Sequence, residues 1–154
     1  MIYQDIPDKP ALERYVAELN ARARRCNARG EIDVPGLRDR ILESGGRCEW
    51  CGEGLVQAPF ELDHVLSLKQ GGANTAGNLA VACPACNRRK GQKHPARFAA
   101  EIYSSTGRRT ALVDKILRHF ELEPREQMSL FAGDKREQKH TETLGLRDQP
   151  HYRW

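Results

Sequence analysis

The sequence predicts a small α+β protein: a strand–loop–strand–helix core stapled by a metal, flanked by helices and followed by a flexible tail. Three observations predict it. Four of the five cysteines fall in two C-x-x-C pairs, Cys48/Cys51 and Cys83/Cys86. Apolar residues recur at helical spacing on either side of these pairs, but between them they form short runs suited to strands. After Glu123 the periodicity fades and the composition turns polar. The 154 residues fit one compact domain with appendages. With 39% hydrophobic and 30% charged residues the core must be small, and a bound metal is one available staple for it.

The elements follow in order. Pro10 to Arg29 reads as a helix, with Pro10 in the first turn, Leu12, Tyr15, Val16 and Leu19 at helical spacing, and Gly30 as the stop. Its polar face carries Arg14, Arg22, Arg24, Arg25 and Arg29. Cys26 lies in this helix and is expected to be a buried free thiol. A shorter helix from Pro35 to Ser44 turns Leu37, Ile41 and Leu42 inward and ends at Gly45-Gly46. Cys48 to Gly52 forms a tight knuckle. Phe60 to Leu66 suits a strand, and Lys69 to Gly77, rich in Gly, Asn and Thr, suits a loop. Leu79 to Ala82 is a second strand. Cys83 caps a helix that starts at Pro84 and reaches Gly91. Pro95 to Ser105 and Thr110 to Phe120 are two more helices, broken at Gly107. The chain therefore divides into a helical segment 1–45, the core 46–93, C-terminal helices 94–123 and a tail 124–154.

The formal charge of +4 is mild, but from Arg88 to Arg118 nine Lys/Arg residues face only Glu101 and Asp114. A one-sided excess of this kind fits a polyanionic partner as well as a solvated helix face. No secretory leader opens the chain and no apolar run could span a bilayer, so a reducing, cytoplasmic compartment is expected. There, paired cysteines hold metal more often than they form disulfides. Four thiolates suit the closed tetrahedral site of structural zinc, although residues 52–82 make an unusually long gap between the pairs.

Asp63-His64 is the second feature. An imidazole can take a proton from water near neutral pH, and an adjacent carboxylate can hold a hard divalent cation. A base for water and a cation on the phosphate are what phosphodiester hydrolysis needs. Adjacent strand residues face opposite sides, so the two can share one site only where the strand bends or ends.

Leu62-Asp63-His64-Val65, Gly71-Gly72, Asn78-Leu79 and Cys83-Pro84-Ala85-Cys86-Asn87-Arg88-Arg89-Lys90-Gly91 together resemble the HNH endonuclease family, over about residues 46 to 93. The resemblance implies a ββα-metal core and an endonuclease acting on DNA. It implies His64 as the base that activates water, Asp63 and Asn87 as ligands of the catalytic cation, and Asn78 as the residue that pins the loop and orients His64. An asparagine at 87 favours magnesium or manganese, because an amide oxygen is harder than an imidazole. Arg88, Arg89, Lys90 and Lys93 are the expected nucleic-acid contacts. The competing class is a zinc-held nucleic-acid-binding module without catalysis. A protein-interaction adaptor is a third.

In the tail, Gln127-Met128-Ser129-Leu130-Phe131 resembles the peptide by which bacterial proteins dock on the replicative sliding clamp. Gln127, Leu130 and Phe131 are then partner-binding residues, in a bacterial or phage setting.

Overall fold

A computed structural model describes residues 6–55 and 58–120. The expected tail and its Gln127–Phe131 peptide lie outside the described residues.

Among the described residues, five helices and a two-stranded antiparallel sheet are formed: α1 (Lys9–Arg25), α2 (Val34–Glu43), β1 (Glu61–His64), β2 (Leu79–Ala82), α3 (Pro84–Lys90), α4 (Pro95–Thr106) and α5 (Ala111–His119). Single 3₁₀ turns at Leu68–Gln70 and Ala76–Asn78 shape the loop between the strands. The helix starts follow from side-chain caps. Asp8, Asp33 and Thr110 each accept a backbone N–H from the first turn, and Pro10 and Pro35 stand where a missing donor costs nothing. α1 ends earlier than Gly30: Asn27 takes the left-handed conformation, with φ 55°, and turns the chain there. Cys26 is accordingly the cap residue of α1, half-buried rather than buried.

β1 and β2 pair in the register Glu61–Ala82, Leu62–Val81, Asp63–Ala80 and His64–Leu79. One apolar core links the described segments, since Leu12, Leu19, Leu37, Trp50, Leu79, Phe98, Ile102 and Ile116 belong to one buried cluster. The flanking helices are therefore part of the fold of the site. Each such aliphatic side chain, fully buried, contributes roughly 1.5–3 kcal/mol. No described helix is long and apolar enough to cross a membrane.

Glu49, in the middle of the first knuckle, fastens that knuckle to β2. Its N–H donates to Val81 O at 2.8 Å, while its carboxylate accepts from Val81 N and from Arg40 of α2, both at 2.6 Å. Arg40 Nε also donates to Leu79 O at 2.9 Å. β2 is thus covered along its outer edge by side chains, where an unpaired strand would leave open backbone groups.

Candidate active site and metal centre

The knuckle and the start of α3 bring Cys48, Cys51, Cys83 and Cys86 together, with all four Sγ atoms within 4.8 Å of one another. Cys51 and Cys83 Sγ are 4.0 Å apart. That spacing matches sulfurs around one tetrahedral ion with bonds near ~2.3 Å. Burial pushes the Cys48 thiol up to about 11 and raises Cys86 further. At Cys83 burial acts the same way, but the Cys86 N–H and hydrogen bonds from neighbouring thiols outweigh it and the value falls. Two buried thiols that resist ionisation, beside one that favours it, make a site whose full thiolate form needs a cation. The donor set and its closure fit structural zinc.

Around β1, alternation sends Glu61 and Asp63 to one face and Leu62 and His64 to the other. α3 packs against the Glu61/Asp63 face. Asn87 donates its side-chain amide to Glu61 Oε2. One turn further along α3, Lys90 Nζ lies 3.1 Å from Asp63 Oδ1 and 2.9 Å from the His64 carbonyl oxygen. The other Asp63 oxygen accepts from Trp50 Nε1 at 3.2 Å. Burial raises the Asp63 carboxyl above its ordinary value, against the opposing pull of the Lys90 ammonium.

Asp63 and Asn87 lie on the same side of β1, where Lys90 and Trp50 engage the two Asp63 oxygens and Glu61 is the carboxylate that accepts from Asn87. The arrangement differs from the sequence expectation at Lys90. Lys90 was expected to reach nucleic acid; instead its side chain is 1% exposed and lies over the Trp50 ring, 5.9 Å from the centroid. An ammonium sealed beneath the sheet cannot contact a phosphate. Of the other basic candidates, Lys93 is ion-paired with Glu101 at 2.8 Å. Arg88 is exposed, and Arg89 is exposed with its guanidinium 5.9 Å from the Phe98 ring.

On the opposite face, His64 is buried and its Nε2 is 2.9 Å from Asn74 Oδ1. Burial lowers its pKa below the ordinary imidazole value; the Asn74 hydrogen bond opposes this, and the charges of Arg22 and Lys90 reinforce it. Burial therefore favours the neutral ring, the form that can accept a proton. Immediately after it, Asn78 clamps the chain. Its Oδ1 accepts from Leu66 N and its Nδ2 donates to Leu66 O and Ala73 O, each at 2.9 Å. Gly72 is required here, because a Cβ would stand 1.9 Å from Leu66 O and 2.9 Å from Asn78 Nδ2.

Glu61 and Asn74 were missed from sequence. Glu61 carried a signal, since it is two residues before Asp63 and so shares its strand face. Asn74, in a Gly/Asn/Thr loop, looks like any turn asparagine.

A buried histidine at the end of a short hairpin, a helix bearing an asparagine against the first strand and a four-cysteine staple define a ββα-metal domain. The HNH endonuclease family model matches residues 48–93, the segment that carries the knuckles, both strands and α3. The chain is also similar to the type IV methyl-directed restriction enzyme EcoKMcrA of Escherichia coli (strain K12), at 35% identity over 71 residues, covering 40% of this chain and 24% of that protein. The matched stretch is thus about a quarter of the relative's length. No solved structure matches.

Proposed function

We propose that the protein is a divalent-metal-dependent HNH endonuclease that hydrolyses phosphodiester bonds in DNA. The observation that carries this is His64: a buried imidazole, its neutral form favoured by burial, hydrogen-bonded at one ring nitrogen at the end of a strand that also presents Glu61 to Asn87. A zinc-held binding module would have no use for such a base, which makes the non-catalytic alternative the weaker reading.

In this reading His64 takes the proton from the attacking water, and Asn78 keeps the following backbone fixed so that the ring holds its place. A magnesium or manganese ion would be held by Asn87 with Asp63 and Glu61 at the end of β1, where the strand stops at His64 and a residue facing the other way can share the site. Asp63 would share its remaining lone pairs while paired with Lys90. When bound, the cation would stabilise the charge that develops on the phosphate and the departing oxygen. Arg88 and Arg89 are the exposed cations of α3 suited to DNA phosphates, and Arg22 of α1 is the further charge felt at His64. Cys48, Cys51, Cys83 and Cys86 would hold zinc for structure alone.

The test is cleavage of supercoiled plasmid by zinc-loaded protein with magnesium or manganese added or withheld, comparing the unaltered chain with Asn87→Ala and Glu61→Ala. Cleavage that needs the added cation and falls about 100-fold or more in Asn87→Ala supports the reading. DNA binding without cleavage under every condition returns the protein to the binding-module class.

A further inference from the structure

We propose that α1 fixes the tautomer of His64 through a relay of two side-chain amides, Asn20 and Asn74, making both of them positioning residues for the base. The inference rests on the nuclease reading for its purpose, but its geometry stands apart from that reading.

The relay is anchored on backbone, where donor and acceptor are not interchangeable. Ile32 N–H donates to Asn20 Oδ1 at 2.9 Å, and Asn20 Nδ2 donates to Ile32 O at 2.9 Å. A flipped Asn20 would set amine against N–H and oxygen against carbonyl, so its orientation is settled. The same Asn20 Oδ1 accepts from Asn74 Nδ2 at 2.8 Å. An oxygen in that position can receive only an N–H, so Asn74 cannot flip either. Its own Oδ1 must then point at His64 Nε2, 2.9 Å away. A carbonyl oxygen has no proton to give, so Nε2 carries the proton and donates it. The lone pair of the neutral ring is left on Nδ1, and Nδ1 is the atom that can take a proton from water.

A second set of contacts shows that the relay is built rather than incidental. Asn74 has no exposed surface. Its N–H donates to Arg29 O at 2.7 Å, in the turn that follows α1. Gly30, with φ +94°, lies so close that a Cβ there would stand 2.7 Å from Asn74 O. The turn after α1 and the loop before β2 are thus seated directly on one another, and Asn20 reaches over that seat. Asn20 lies outside residues 48–93, so the N-terminal helix acts on the base from beyond the matched segment.

The experiment observes the ring directly. Full-length, zinc-loaded protein with ¹⁵N-labelled histidine is examined by long-range ¹H–¹⁵N correlation of the imidazoles, and kcat and KM for plasmid cleavage are measured on the same preparations. His64→Ala assigns the resonances. The unaltered chain is expected to show His64 protonated at Nε2. Asn20→Ala releases Asn74 to flip; it is expected to shift His64 toward the Nδ1–H form and to lower kcat roughly tenfold with KM unchanged. Asn20→Asp keeps an oxygen for Ile32 N and Asn74 Nδ2 but sets its second oxygen against Ile32 O, so in folded protein it should restore the Nε2–H form and most of kcat at a cost in stability. An unaltered chain protonated at Nδ1 overturns the proposal, and this arm decides even where a variant does not fold. A folded Asn20→Ala with tautomer and kcat unchanged overturns it as well. A tautomer that shifts as described, in a protein that cleaves no DNA, upholds the relay and rejects the nuclease reading.

Discussion

Lys90 Nζ lies 3.1 Å from Asp63 Oδ1, and both side chains are buried, so the pair joins α3 to β1 at the candidate active site. The same ammonium donates to the backbone oxygen of His64, so a single lysine touches the two adjacent residues on which hydrolysis would depend. Its value lies in matching a carboxylate that burial would otherwise force to take up a proton.

Lys90→Met leaves buried Asp63 without its partner, so the carboxyl must stay an unpaired charge or take up a proton on folding, and the fold should be destabilised by up to roughly 3–5 kcal/mol, read from urea unfolding at pH 7. Removing the carboxylate too, in Asp63→Leu/Lys90→Met, should recover most of that loss. A double variant no more stable than the single one would show that the pair is not what holds α3 to β1.

Zinc removal should undo the core rather than slow a reaction. The knuckle that carries Cys48 and Cys51 also carries Trp50, which is fully buried, packs edge-on against Phe98 at 4.9 Å and donates to Asp63. Cys83→Ser, or a strong chelator, should therefore release Trp50 to water, seen as a red shift of its fluorescence together with lost helical dichroism. Binding the metal must also expel protons, because burial holds the Cys48 thiol near 11. Zinc affinity should accordingly weaken steadily as pH falls from 8 to 6.

Acid sensitivity should centre on His94. Its Nδ1 accepts Ala96 N–H at 3.1 Å and so caps α4, and burial, aided by the Lys90 charge, lowers its pKa to about 4. The folded chain binds fewer protons here than the unfolded chain, whose imidazole titrates near ~6.5, so stability rises with pH between these values. The contribution is fully present above ~6.5, on the order of 3 kcal/mol, and is lost as pH falls to about 4. His94→Asn keeps an acceptor at the cap without the titration, and its unfolding midpoint should be much less dependent on pH across that window. A slope equal to that of the unaltered chain would assign the sensitivity elsewhere.

The tail peptide makes a separate prediction from sequence. A synthetic peptide spanning residues 124–134 should bind a bacterial replicative sliding clamp, and alanines at Leu130 and Phe131 should abolish binding, as measured by fluorescence anisotropy. Equal binding by both peptides would remove the motif.

Much of the architecture was legible because the chain punctuates itself. Cys83-Pro84 marks the step from β2 to α3, and β2 falls at the expected Leu79–Ala82. Helix ends shifted by a few residues where a local device overrode the stop signal, as at left-handed Asn27. Within the site, the four cysteines were legible from spacing, but the partners of Asp63 were not. Lys90 is 27 residues away and sits in a run of cations that looks like a solvated surface. Only the turn of α3, which places Asn87 and Lys90 on one face, separates it from Arg88 and Arg89. The partners of His64 were harder still, since Asn20 and Asn74 gain their meaning from a contact across 54 residues.

The most direct measurement compares relaxation of supercoiled plasmid by the unaltered chain and by His64→Ala, in magnesium or manganese, with zinc content and folding shown to be equal. Cleavage by the unaltered chain, reduced at least about 100-fold in the variant, is the expected result for a base worth that much in proton transfer. Equal cleavage by the two proteins would contradict the assignment of His64, and no cleavage by either, with DNA still bound, would contradict the nuclease itself.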